Sequence, residues 1–290
     1  MTEPSRRTSR LALAGGIAAA LVLLGAGFLV GRGTVEELAP LATPSPLPSP
    51  TPTPSPSPVV QPVLDRAALI AAASAAADAF AAGQPAPEQV ATLTGRRFEL
   101  HVTFGCAGPS TVVNTPLGWR YDEAAETLRV RVLPVLWEPT AWVPLQEIER
   151  VEAVEGFWIP RPWTASDACP PNGPALAGAV GTPDEQTLAV AQFYTAGGSR
   201  LGRREGQAFE AVERVAPDAL NIGQGLRLRL TGRVTNAPGN GPIVCRALAG
   251  SERRPTCLVS VSLAEVAIEN PATDTTLATW DVAQRRLAAE

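Results

Sequence analysis

Every second residue from Pro44 to Pro58 is proline, with serine or threonine at most of the positions between and no charge. Proline has no backbone N–H to offer a helix or a ladder, so this stretch cannot enter a packed domain. It extends as polyproline II instead, at about 3.1 Å per residue, and its length reaches on the order of 45 Å. What lies before and after it must fold without it.

Before it, residues 11–31 form an uncharged run of Leu, Ala, Val, Ile, Phe and Gly. An α-helix needs about 20 such residues to cross the hydrocarbon core of a membrane. Arg6, Arg7 and Arg10 precede the run, whereas Arg32 is soon followed by Glu36 and Glu37. The positive-inside rule therefore puts the N-terminus in the cytoplasm and the C-terminal region outside. A cleaved signal peptide shares this polarity, but its apolar core is shorter, about 7 to 15 residues, and ends at an Ala-x-Ala-like site not evident here. The expected organisation is a cytoplasmic tail (1–10), a transmembrane anchor (11–31), a Pro/Ser/Thr-rich linker (32–62) and a folded region beyond. The address is the cytoplasmic (inner) membrane, with the C-terminal region extracytoplasmic (periplasmic).

In the folded region, Asp65 to Ala82 is Ala-rich and ends at Gly83, with Ile70, Ala73, Ala77 and Phe80 at helical spacing. One helix is expected there. Beyond Pro87, residues 97–104, 128–133, 226–230 and 258–263 alternate polar and apolar side chains, with Gly, Pro and Asn turn signals between. The fold class is therefore mainly β: an antiparallel sandwich or barrel-like arrangement. Residues 145–155 fit helix or strand, because Leu145, Ile148, Val151 and Val154 recur every third position. A Pro-Pro-Asn-Gly-Pro break after Cys169 suggests two β-rich lobes, 63–172 (with the helix) and 186–290.

Four cysteines in an exported region imply two disulfides. The short loop between Cys245 and Cys257 looks like a hairpin pinned at its base, which leaves Cys106 to pair with Cys169. Four-thiolate zinc needs closer cysteine spacing than any here.

The chemistry is mostly exclusion. All 24 basic residues are arginine. Without lysine there is no Schiff base, no Walker P-loop and no Ser-x-x-Lys pair. His101 is the only histidine, so two-histidine metal sites are excluded, and its place on an alternating strand reads as a surface or satisfied residue. A net charge of −4 argues against nucleic acid as a partner. No motif calls for a cofactor. Carboxylate-pair catalysis can draw two acids together from anywhere in the chain, and Asp122, Glu123, Glu152 and Glu155 are candidates, though each reads first as solvated charge.

Five of the six tryptophans fall between Trp119 and Trp163. Most should fill the core, but Trp158, Trp163 and Arg161 form a candidate ligand face, since flat aromatics suit sugar rings or protein partners. The expectation is a non-enzymatic, membrane-anchored binding or structural module of the cell envelope, with a cell-wall glycan or an envelope protein as partner. The alternatives are a carboxylate-based hydrolase acting on envelope glycans and an assembly partner of another membrane protein.

Overall fold

The computed structural model describes residues 61–112, 115–170, 186–247 and 253–283, all within one compact unit, Val59–Glu290. The expected membrane span at 11–31 and the proline stalk lie outside the described residues. Among the described residues no helix is long and apolar enough to cross a membrane.

The Ala-rich segment forms helix α1, Arg66–Ala81, and the Asp65 carboxylate caps it by accepting the Ala68 N–H at 2.8 Å. The cap satisfies one of the donors that a helix start leaves orphaned. The buried stripe is Arg66, Leu69, Ala73, Ala76 and Ala77, rotated from the expected one, and Phe80 stands 43 % exposed. Arg66 causes the rotation: its guanidinium turns inward to donate to the carbonyls of Pro160, Arg161 and Thr164. A four-residue helix, α2 (Glu88–Ala91), follows.

Eleven strands are described: β1 (Arg97–Phe104), β2 (Leu117–Asp122), β3 (Thr127–Val132), β4 (Val135–Trp137), β5 (Val151–Trp158), β6 (Leu188–Thr195), β7 (Phe209–Arg214), β8 (Leu226–Val234), β9 (Ile243–Arg246), β10 (Thr256–Asn270) and β11 (Thr275–Asp281). One sheet runs β1-β8-β10-β6-β5-β4, with β9 and β11 also paired to β10; a second, three-stranded sheet runs β2-β3-β7. The mainly β, largely antiparallel architecture matches the alternating sequence.

The spine is β10. Its first part pairs with β9 and, in parallel, with β6; its later part pairs with β8 and β11. Register shifts at Leu263/Glu265 and Ile268/Glu269 are bulges that bend it from one set of partners to the other. The parallel β6–β10 pair departs from the expected all-antiparallel pattern. It is possible because the chain between the two strands is long enough for a crossover.

The two expected lobes do not fold separately. Strand β1 precedes the break at 171–185 and β8 follows it, yet they pair from Arg97↔Arg233 to Phe104↔Leu226. A separate first lobe would leave the β1 edge bare, and the far half of the chain supplies its partner. Both sheets and α1 share one core, which includes Leu69, Leu100, Val130, Phe209, Leu228 and Ile268.

A smaller cluster, Trp142, Val143, Val151, Val154, Ala189, Ala191 and Leu258, occupies the other face of β5, β6 and β10. The ambiguous segment at 145–155 makes part of its cover: Leu145–Arg150 is a 3₁₀ helix, and β5 begins at Val151. Three residues per turn stack Leu145 and Ile148 on one side, but only Ile148 packs on the cluster and Leu145 stands 83 % exposed. A bulge between Val151 and Ala153 then returns Val154 to the face of Val151.

Both disulfides have the expected partners. Cys245 and Cys257 sit directly opposite each other on β9 and β10, with Cα atoms 4.0 Å apart. Cys106–Cys169 (Cα–Cα 5.6 Å) ties the segment after β5 to the end of β1. It passes so close to Gly225 that a Cβ there would lie 2.7 Å from the Phe104 oxygen and 2.9 Å from Cys169 Sγ; with φ +74° the position needs glycine on both counts.

Candidate functional site

Strand alternation separates the core side chains from three polar outer surfaces. On β1, β8 and β10, the outward row places His101 beside Arg229, and Arg227 beside both Thr103 and Glu269. His101 lies between two carboxylates, with Nε2 3.2 Å from Glu99 and Nδ1 3.2 Å from Asp167. Arg229 grips Glu265 at 2.7 Å and also Glu269, which Arg227 holds at 2.9 Å. Across the strands this is a ladder of paired charge. His101 is half-buried here, and its Nε2 has the Glu99 carboxylate nearby but no hydrogen-bond partner.

Burial raises the cost of ionising Glu269, but hydrogen bonds and charge from Arg229 and Arg227 outweigh it and hold the carboxyl below the usual range. A carboxyl depressed in the folded state binds fewer protons there than in the unfolded chain, so its contribution rises with pH. It is complete above the ordinary glutamate pKa of about 4.3 and fades as pH falls through the folded value. Glu269→Gln is expected to destabilise the protein by about 2 kcal/mol at pH 7, where two arginines lose a shared partner. In urea titrations that gap should shrink by pH 3; a gap independent of pH would show that the ion pairs contribute nothing.

The acidic candidates on β5 serve a second structural purpose. Glu152 is gripped by Arg200 (3.1 Å) and Arg203 (2.9 Å); the Arg200 hydrogen bonds chiefly hold its carboxyl below the usual range. Glu155, 4 % exposed, accepts the backbone N–H groups of Arg204 and Glu205 at 2.8 and 3.0 Å. Burial, with Glu155 nearby, pushes the Tyr194 phenol well up. Together these bonds latch the loop at 199–207 onto β5. The Asp122 carboxylate accepts the Ala124 and Ala125 N–H groups in the β2–β3 turn.

Trp158, Trp163 and Arg161 do not share a surface. Trp158 packs edge-on to Trp137 (centroids 5.3 Å apart) beside the smaller cluster. Trp163, 65 % exposed, instead borders a shallow concavity of about 150 Å³ with Ala73, Ala77, Leu188 and Arg254. Leu188 faces the main core while Ala189 faces the smaller cluster, so the two rings lie on opposite sides of the sheet. The guanidinium of Arg161 donates to the Ala168 carbonyl within its own loop. Trp119 and Trp142 are buried, as expected of most of the tryptophans.

The third surface is the outside of β2-β3-β7. Leu128, Val130, Val132, Phe209 and Ala211 point into the core, so the register lays out three rows on the other side. These are Gly118–Arg131–Glu210, Arg120–Arg129–Val212 and Asp122–Thr127–Arg214. Arg120 stands directly opposite Arg129, and like charges so placed oppose pairing. Arg131 reaches Glu210 at only 3.5 Å, and Val212 is 52 % exposed in the same row as the arginine pair. The first two rows line a concavity of about 160 Å³, walled by Ser110, Val112 and Thr115. Gly118 makes room for that wall, since a Cβ there would collide with the Ser110 hydroxyl. In a chain of net charge −4, this is a local concentration of guanidinium groups.

These arginines do not stand out as a group in the sequence. Residues 128–132 do show Arg129 and Arg131 on one side of a strand. Adding Arg120 requires the β2–β3 register, and that depends on the turn closed by Glu126 in the left-handed region (φ +48°).

Among the described residues no group of three or more His, Cys, Asp or Glu is arranged to hold a metal ion. The chain matches no known protein-family model, no curated protein and no solved structure.

Proposed function

We propose that the chain is a membrane-anchored, extracytoplasmic, non-enzymatic binding module that docks on a component of the cell envelope through the outer face of β2-β3-β7. The observation that carries this reading is the gathering of Arg129 and Arg131 with exposed Val112 and Val212 around a shallow concavity. Both concavities are well under the roughly 300 Å³ at which pockets begin to enclose small molecules. Open faces of that kind suit an extended or flat partner. The disulfides suit an oxidising compartment, and the apolar run and proline stalk supply the anchor and the reach.

Full-length protein in neutral detergent is expected to co-sediment with purified cell-wall sacculi at low salt, and to be released progressively as salt screens the arginines. Arg129→Gln should lose most of this binding, while Arg150→Gln, at the end of the 3₁₀ helix and paired with Glu147 away from this concavity, should keep it. Absence of co-sedimentation at any salt concentration would refute docking on the wall.

A further inference from the structure

We infer that the Cys106–Cys169 bridge is an exchange site for a dithiol protein, and that its reduction frees the stretch from Ala165 to Pro170 while the sheets stay folded. The two bridges differ in what surrounds them. Cys257 lies in the core, 1 % exposed, and Cys245 packs against the same core from the opposite position on β9. If that bridge opened, the ladder would still hold the two sulfurs face to face and favour reclosure. Cys106 and Cys169 are both half-buried, and their chain neighbours Ala107 and Ala168 are exposed. Exchange requires an attacking thiolate to reach one sulfur, so access decides which bridge opens. Small uncharged neighbours let a protein surface close on this one.

Its two ends are held unequally. Cys106 sits in a turn after β1 that is pinned at Gly105, whose carbonyl accepts the Gly108 N–H at 3.1 Å and the buried Trp119 indole N–H at 3.2 Å. Cys169 lies in no helix or strand. The chain before it is fixed as far as Thr164, because Ile159 bonds Leu188 and Arg66 holds the carbonyls of Pro160, Arg161 and Thr164. From Ala165 on, bonds within the loop aside, the ties among the described residues are the bridge and Asp167. The Asp167 carboxylate meets His101 Nδ1 at 3.2 Å and attracts the Arg66 guanidinium. Reduction therefore leaves Cys106 in place and lets Cys169 go.

The Cys169 sulfur lies 2.8 Å from the Gln224 carbonyl oxygen. The lone pairs of that oxygen oppose a thiolate on Cys169, so Cys106 is the better leaving group. One thiolate of the dithiol attacks Cys169 Sγ, the S–S bond breaks, and Cys106 leaves as a thiolate that takes up a proton. The second thiol of the partner then attacks the partner's own sulfur in the mixed disulfide and expels Cys169, which is protonated in turn. The bridge gains two electrons and two protons, and the dithiol becomes a disulfide.

The test treats the full chain in neutral detergent at neutral pH, without denaturant, with dithiothreitol or with a pre-reduced Cys-x-x-Cys oxidoreductase. Free thiols are then alkylated and located by mass spectrometry. Cys106 and Cys169 should be labelled at least about tenfold faster than Cys245 and Cys257 with either reductant. Because His101 is the only histidine, the NMR signals of its isotope-labelled ring report on Asp167. They should shift on reduction and return on reoxidation, with far-ultraviolet circular dichroism unchanged. Equal rates for the two bridges, or no labelling in the absence of urea, would overturn the exchange site. Opening by dithiothreitol but not by the oxidoreductase would overturn a protein as the partner. Unmoved histidine signals in the reduced chain, or loss of the strand signal, would overturn local release of the loop.

Discussion

Replacing Cys106 and Cys169 together by alanine is expected to lower the unfolding free energy by about 4 kcal/mol, against about 3 kcal/mol for the Cys245–Cys257 pair. The difference follows from loop length: the first bridge joins residues 63 apart in sequence and the second residues 12 apart. In the chain-entropy picture the longer loop removes more freedom from the unfolded chain. The local consequences differ further. Cys245 and Cys257 are already neighbours in the β9–β10 ladder, so their strands remain paired after the bridge is cut. The segment at 159–170 is described in no strand; beyond Ile159, which is buried in the core and bonds Leu188, its ties include the bridge, the carbonyls held by Arg66 and the contact of Asp167 with His101. Cutting the bridge should release Asp167 from His101 and expose the segment to proteolysis. Urea denaturation under non-reducing conditions, with limited chymotrypsin digestion alongside to detect cleavage after Trp163, measures both effects. A loss below about 1 kcal/mol, with digestion unchanged, would mean that the segment is held without its bridge.

The parts legible in the sequence were those fixed by short-range chemistry. Alternation marked β1, β3, β8 and part of β10, because a half-buried strand must alternate. Asp65 and Gly83 bracketed α1, because helix ends need a capping acceptor and a stop. The even cysteine count and one short loop were enough to give the two bridges. What escaped depended on contacts between distant segments. The turn of α1 toward Arg66 needed carbonyls almost 100 residues away, and the joining of the anticipated lobes needed β1 to meet β8 across the break. Trp158 and Trp163 read as one surface until the strand ended at Trp158 and the chain turned through Pro160 and Pro162, which separated the rings to opposite sides of the sheet. The arginine surface was half visible: alternation put Arg129 and Arg131 together, but only the hairpin register added Arg120.

Phe209→Ala is expected to cost about 4 kcal/mol, the range for removing a large buried aromatic. Phe209 is 2 % exposed, with its ring 5.1 Å from Trp280 and 6.3 Å from Phe157, and the Arg204 guanidinium 4.5 Å from its centroid. Trp280 and Phe157 belong to strands of the large sheet and Phe209 to the small one, so this ring pins one sheet to the other. Phe209→Leu retains most of the volume but not the ring-to-ring attraction, and should cost about half as much. Urea titration followed by the fluorescence of the six tryptophans reads both as shifts of the unfolding transition; a cost below about 1 kcal/mol for the alanine variant would show that the two sheets are not held together here. The same strand connects packing to the proposed binding. Phe209 and Ala211 face the core while Glu210 and Val212 face outward, so loosening the core side should disturb the arginine rows without touching them. Phe209→Ala should therefore lose stability and sacculus binding together, whereas Arg129→Gln should lose binding and keep stability. If Phe209→Ala kept full binding in its folded fraction, the arginine rows would not depend on the packing beneath them, and the docking would have to be looser than the strand register implies.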